Sequence, residues 1–231
     1  MLTTSEWEVV WLSIRVAVVA TAVSLPFAIG LGYALARKRV PAPFAVEALL
    51  QLPLVLPPVV TGLLLLYAFG PASPIGAFLD RLHLPLAFTW AGAAVAAAVV
   101  SFPLMLQTIR TSFEQIDPDL ESAGFVYGAT RLGVLRYVTL PIAGRGIAAG
   151  TVLAFARAVG EFGATIMFAG SIPGQTRTLP LAIYAAFNQV DGERRVVRLA
   201  IAAVALSLLS LGIHTLLVSR MHRADDSGTS L

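Results

Sequence analysis

The chain has 231 residues, of which 57% are hydrophobic and only 13% charged. Soluble domains carry about 25% charged residues, so this sequence cannot cover itself with polar surface and reads as a lipid-embedded chain, counted in spans of roughly 20 residues. The absence of cysteine excludes a disulfide framework, a thiolate metal site and a cysteine nucleophile. Three scattered histidines argue against zinc, and a net charge of +3 spread over loops does not suggest nucleic acid.

The first apolar block covers 16–36. Trp7 and Trp11 precede it and Arg37, Lys38 and Arg39 follow it. Tryptophans suit the interface and a basic cluster marks the cytoplasmic side, so the N-terminus is expected outside. Glu6 and Glu8 stand where a cleavable signal carries positive charge, so no signal peptide is expected. The second block, 45–70, contains Pro53, Pro57, Pro58 and Gly62. Proline breaks the helical ladder, which gives either a kinked packing helix or one that lines a pathway. A short outer loop, 71–84, precedes the third block, 86–105. That block is rich in alanine and glycine, which permits close packing.

The stretch 110–145 is the one long segment that is neither strongly apolar nor short. Asp117 is a good N-cap, Pro118 sits at N1, and Asp119 adds charge in the first turn. Gly128 is a natural stop. Leu120, Ala123, Gly124 and Tyr127 recur at helical spacing and are expected to share one face. Thr130 can cap a second short helix ending before Pro141. A folded, capped, cytoplasmic insertion between spans is the kind of element that is kept for a partner.

The fourth block, 147–169, holds Arg157 and Glu161 at i, i+4. Ionisable residues within a span are functional candidates. The pair is either a structural ion pair or part of a gate or transport route. Gly160 and Gly163 bracket Glu161 and permit close approach or bending there, and Thr165 follows. The outer segment 171–198 carries Arg177, Arg194, Arg195 and Arg198, which opposes the positive-inside rule. Either these arginines lie outside and face an anionic partner or substrate, or a short helix after Thr178 makes a sixth crossing. The first reading is preferred. The last block, 199–218, precedes Arg220, His222 and Arg223, a cytoplasmic mark, and the polar tail 224–231 is expected to be disordered. The chain thus reads as a single all-α, polytopic domain of about five spans, with the C-terminus cytoplasmic.

The run ESAGFVYGATRLGVLRYVTLPIA resembles the cytoplasmic signature loop of bacterial ABC importer permeases. The family glycine falls on Gly128 and its closing motif on Val138, Thr139, Leu140 and Pro141. Counting back from Gly128, the usual glutamate position is Ser122, with Glu121 displaced by one residue. The run AFARAVGEFGATIMFAGSIPGQTRTLPLAIY is similar to the permeases of molybdate importers. Sulfate and thiosulfate permeases share its ARAVGE portion and diverge after it. The resemblance covers essentially the whole chain. It implies the type I importer fold, a homodimer, a separate cytoplasmic ATPase, a periplasmic or extracellular oxyanion-binding protein, and a place in the inner membrane. It puts ATPase coupling on Leu120, Glu121, Ser122, Ala123, Gly124, Tyr127, Gly128 and Pro141. The translocation path or gate falls on Arg157, Gly160, Glu161, Gly163 and Thr165.

The chain contains no P-loop of the form GxxxxGKS/T, so any ATP is expected to be used by the partner subunit. This chain is expected to bind no cofactor or metal and to be no enzyme itself. The readings that compete are a permease for sulfate, thiosulfate, tungstate or phosphate, a membrane-embedded enzyme, and a passive channel.

Overall fold

The structure, a computed structural model, describes residues 2–228, with side chains as far as residue 216. It is all-α, and among the described residues no strand occurs. The helices are α1 (Thr4–Ala36), α2 (Pro43–Val55), α3 (Pro58–Phe69), α4 (Pro74–Arg81), α5 (Trp90–Glu114), α6 (Pro118–Val126), α7 (Arg131–Val134), α8 (Leu140–Val159), α9 (Gly163–Phe168), α10 (Leu179–Phe187) and α11 (Glu193–Gly228).

Among the described residues, four helical stretches are long and apolar enough to cross a membrane: α1, α5, Arg131–Val159 and Glu193–Leu216. α2 and α3 pass the same test only as a pair bent by 112°, the geometry of a broken span or a re-entrant loop. The cause of the bend lies in the sequence. Leu56 and Pro57 each precede a proline, which forces both into extended backbone (ψ 142° and 131°).

The core is built on α1, α5 and α8. On α1 the buried positions Val9, Ser13, Val16, Ala20, Ser24, Ala28 and Leu35 recur at steps of three, four and seven, forming one stripe. Within this stripe Ser13 bonds the Val9 carbonyl at 2.8 Å, and beside it Thr21 bonds the Ala17 carbonyl at 2.7 Å, so neither hydroxyl is orphaned. Small residues dominate the central contact: Ala17, Ala20, Ala93, Ala97 and Ala158 are all 5% exposed or less. Close approach of this kind replaces the hydrophobic drive that lipid does not provide.

Several boundaries differ from the sequence reading. The first helix starts at Thr4, twelve residues before the apolar block, because Glu6 closes its first turn by accepting from the Thr3 backbone N–H at 2.8 Å. The block 147–169 is two helices, interrupted at 160–162. The second loop helix does not stop before Pro141. It widens into a π-turn over Leu135–Thr139, where the Leu140 N–H bonds the Leu135 carbonyl, and continues as α8. Pro141 lacks the N–H that the Tyr137 carbonyl would take in an α-helix, and the wider turn absorbs that mismatch. The tail expected to be disordered is helical as far as Gly228, and 229–231 lie outside the described residues.

The nine residues of α10 reach about 14 Å, half of a hydrocarbon core of about 30 Å, so there is no sixth crossing here. Instead α10 lies against the start of α1, with the Leu179 N–H donating to Ser13 Oγ at 2.6 Å. Leu179 and Ala182 join Val9, Val10 and Leu199 in one apolar cluster. The 33 residues of α1 span about 50 Å. Its Thr4 end therefore stands far from α6 and α7, beside which it finishes.

Candidate functional site

The loop between α5 and α8 is built as its sequence demands. Asp117 Oδ1 accepts from the Asp119 N–H at 2.9 Å, capping α6. At the other end Gly128 takes φ +83°. Its N–H bonds the Phe125 carbonyl at 2.9 Å, and the Ala129 N–H bonds the Gly124 carbonyl at 3.1 Å. These two bonds make a Schellman closure, which needs a residue able to adopt left-handed backbone. Thr130 Oγ1 then accepts from the Gly133 N–H at 3.2 Å and starts α7.

What fastens α6 to the membrane bundle is Glu121, 8% exposed. Arg37 donates to it through Nε at 3.1 Å and Nη2 at 2.9 Å, a bidentate pair across 84 residues. Thr139, fully buried, donates to Glu121 Oε1 at 2.8 Å. One carboxylate thus ties α6 to the end of α1 and to the π-turn before α8. Burial pushes the Glu121 carboxyl up, but the bonds from Arg37 and Thr139 and the charges of Arg37 and Arg39 outweigh it and leave it below the usual carboxylate range. The one-residue displacement from the family position therefore does not cost the loop its ion pair. Arg37 was read in the sequence only as a topology mark; its partner lies too far along the chain for any local signal.

The four residues expected on one face do not all point outward. Leu120, Ala123 and Tyr127 are exposed, Tyr127 at 91%. Gly124 turns inward, where an added Cβ would sit 3.0 Å from Val134 Cγ2. The face left open carries Leu120, Ala123, Val126 and Tyr127, extended by Leu132 on α7 and by Tyr137. Ser122 is exposed, its hydroxyl donating to the Pro118 carbonyl at 3.0 Å. Pro141 sits at the start of α8.

The second cluster surrounds the break in the fourth crossing. Arg157 Nη1 donates to Glu161 Oε2 at 2.7 Å, and the Ala164 N–H donates to Glu161 Oε1 at 2.8 Å. Glu161, 2% exposed, therefore pairs with the end of α8 and caps the start of α9. Gly160 ends α8 and is exposed, while Gly163 and Thr165 are buried. A Cβ on Gly163 would meet Pro58 Cβ and Val59 N at 3.0 Å, and one on Gly62 would meet the Ala164 carbonyl oxygen at 2.5 Å. The breaks between α2 and α3 and between α8 and α9 thus meet backbone to backbone. The glycines around Glu161 allowed a close approach there, but the sequence did not say which element would make it.

A bundle of membrane-crossing helices, with two helix breaks that meet inside it and a rigid loop anchored to one end, defines a multi-pass membrane protein of the transport class. The chain belongs to the family of binding-protein-dependent transport system inner membrane components, which matches it over residues 24–223. It is similar to the molybdenum transport system permease protein ModB of Escherichia coli (strain K12), 47% identical over 212 residues, 91% of this chain and 93% of that one. It is also similar to the protein of the same name from Haemophilus influenzae, 43% identical over 94% of this chain and 96% of that one. Its fold matches a bacterial ABC transporter involved in the import of the acidic polysaccharide alginate, with a TM-score of 0.69 at 16% identity, over 96% of this chain and 80% of that one. The chain is a transport permease of the inner membrane.

Proposed function

We propose that the chain is the permease of a molybdate importer, working as a homodimer with a separate cytoplasmic ATPase and an external oxyanion-binding protein. The observation that carries the coupling is the exposed apolar face of α6, held by a buried ion pair. Tyr127, Val126 and Leu132 are 91%, 85% and 71% exposed at the aqueous end of the molecule, and such a patch marks a partner surface. The molybdate assignment is supported by the printed names of the relatives. The α6 end is cytoplasmic, in keeping with Arg37, Lys38 and Arg39 beside it. The N-terminus then lies outside and the C-terminus inside.

The ATPase grips α6 through Leu120, Ala123, Val126 and Tyr127, while Gly124 and Gly128 shape the loop and Ser122 lies at its rim. ATP binds and is hydrolysed in that subunit, and this chain holds no cofactor. When the ATPase halves close, α6 moves as a rigid body, because both of its ends are capped. Glu121 passes the displacement to α1 through Arg37 and to α8 through Thr139. Those two helices meet α5 in the core, so the bundle tilts and the meeting of α3 and α9 opens or shuts. Glu161 neutralises Arg157 and holds the start of α9; a dianionic substrate would not bind to it. Gly160, Gly163 and Thr165 complete this gate.

The test is reconstitution of the chain with its ATPase and binding protein in vesicles. ATP-dependent uptake of labelled molybdate is expected, competed by tungstate and little affected by a tenfold excess of sulfate. Sulfate uptake that molybdate fails to compete would overturn the substrate. Tyr127→Asp is expected to abolish co-purification of the ATPase, and unchanged co-purification would overturn the docking face.

A further inference from the structure

At the end opposite α6 a cavity of about 270 Å³ opens between the start of α1, the 171–178 loop and the start of α11. Its charged lining is Arg15, Arg177, Arg195 and Glu8, an excess of two positive charges. None of the three arginines pairs with a carboxylate among the described residues. Nearby Arg198, by contrast, is paired with Glu6 at 2.7 Å.

Each guanidinium is placed by the fold. Arg15 lies over the Trp90 ring, 3.9 Å from its centroid. Arg177 is anchored through Nε to Ser171 Oγ at 3.1 Å and through Nη2 to the Ser171 carbonyl at 3.0 Å. The rest of its five-donor fork is uncommitted. The loop that carries it is tight: the Gln175, Thr176 and Arg177 N–H groups converge on the Ile172 carbonyl, and Gly174 takes φ +74°. Arg195 is half-buried, and its Nε is enclosed without any hydrogen-bond partner. Because that nitrogen is enclosed, Arg195 can face the cavity only through its terminal nitrogens. A second cavity shares Leu12, Arg15 and Gly174 with the first and adds His83, Thr89 and Gln175.

We infer that this cavity is a receiving site for a tetrahedral oxyanion dianion, occupied after release from the binding protein and before the gate. The inference rests on the importer reading above. The excess of two positive charges matches the dianion. Planar guanidinium forks suit oxyanion edges, and they come from three different elements, so they surround the ligand. Glu8 opposes an anion and keeps the site from holding its cargo too tightly. The volume equals that of about nine waters at roughly 30 Å³ each, enough for an anion that keeps part of its hydration. The site therefore reads charge and shape and leaves fine discrimination among tetrahedral dianions to other parts of the system.

Two measurements test it. The first is equilibrium dialysis of the purified chain with labelled molybdate and, separately, labelled sulfate. Wild type is expected to bind one dianion per chain, with little preference between the two. Arg177→Gln and Arg195→Gln are each expected to weaken binding at least tenfold, and Arg195→Lys to retain part of it. Equal binding by wild type and both Gln variants overturns the site, whether or not the chain transports molybdate. The second is vesicle uptake as a function of loaded binding protein. The Gln variants are expected to lower the maximal rate about tenfold with unchanged half-saturation by binding protein. A raised half-saturation with an unchanged maximal rate would mean that the arginines hold the binding protein itself, and would overturn the inference. Wild-type dialysis binding without molybdate uptake would sink the importer reading and leave the site standing.

Discussion

Replacing Glu121 with Gln keeps the shape of the side chain and removes its charge. The Gln oxygen can still accept from Thr139 and from Arg37 Nη2, but its NH2 faces Arg37 Nε, the charge is gone, and among the described residues the half-buried Arg37 has no other carboxylate. The side chains of Arg37 and Glu121 are 14% and 11% exposed. Breaking a fully buried pair costs about 3–5 kcal/mol; the residual solvent access lowers that to about 2–3 kcal/mol. The cost falls on the attachment of the loop and leaves the crossings intact, because the pair joins α6 to the bundle and lies outside the helix core. At about 1.4 kcal/mol per decade, the population of the detached loop should rise about 30- to 150-fold. Trypsin reads this directly, since Arg131 and Arg136 lie within the loop and become cleavable when it lifts, and cleavage follows the open population when reclosing is fast. Glu114→Gln, which breaks an exposed pair with Arg110, is the control and should change cleavage little. A Glu121→Gln rate within twofold of wild type would refute the claim that this carboxylate fastens the loop.

The same carboxyl predicts a pH dependence. Its folded value is depressed, so its stabilisation is complete above an unfolded value of about 4.3 and is lost as pH falls through the lower folded value. Loop opening measured by amide exchange, corrected for intrinsic rates, should be flat above about pH 4.5 and rise below it in wild type, while Glu121→Gln should show no such rise. Gly62→Ala should lower the thermal midpoint in detergent, by about 1–3 kcal/mol of stability, because its Cβ would lie 2.5 Å from the Ala164 carbonyl oxygen. Gly30→Ala, with nothing within 4 Å, should be neutral or stabilising, and equal midpoints for the two variants would contradict the contact. Glu161→Gln should lower transport or uncouple ATP hydrolysis from it while the loop's trypsin cleavage stays at the wild-type rate; unchanged uptake and coupling would make the pair packing alone.

Local chemistry was legible in the sequence. Asp117, Gly128 and Thr130 cap and stop their helices where short-range rules put them, because a cap is decided within four residues. The all-α, multi-pass architecture was legible as well, because apolar runs longer than 18 residues leave few alternatives. Three kinds of feature were not. Gly160 and Gly163 marked the place where the fourth block can bend, but not that one helix ends at Gly160 and another begins at Gly163. Gly124 was put on the open face by periodicity, which fixes relative angles on a helix but not which side meets α7. The partners of Glu121 and Glu6 lie 84 and 192 residues away, and one sequence contains no signal for pairs at that distance.

That last separation bears on how the molecule is made. Glu6, 1% exposed in the finished fold, takes three hydrogen bonds from Arg198 at 2.7–3.1 Å. Synthesis proceeds at about 5–20 residues per second, so the 192 residues between them take about 10–40 s to emerge. Throughout that interval the acid at the head of the first crossing lacks the arginine that holds it in the finished fold. It must wait in water or among headgroups, and the first helix cannot settle to its final depth. Closure of the bundle is therefore an event of late biogenesis, timed by delivery of the last crossing, and a chain arrested before Arg198 lacks the clasp that joins its first helix to its last.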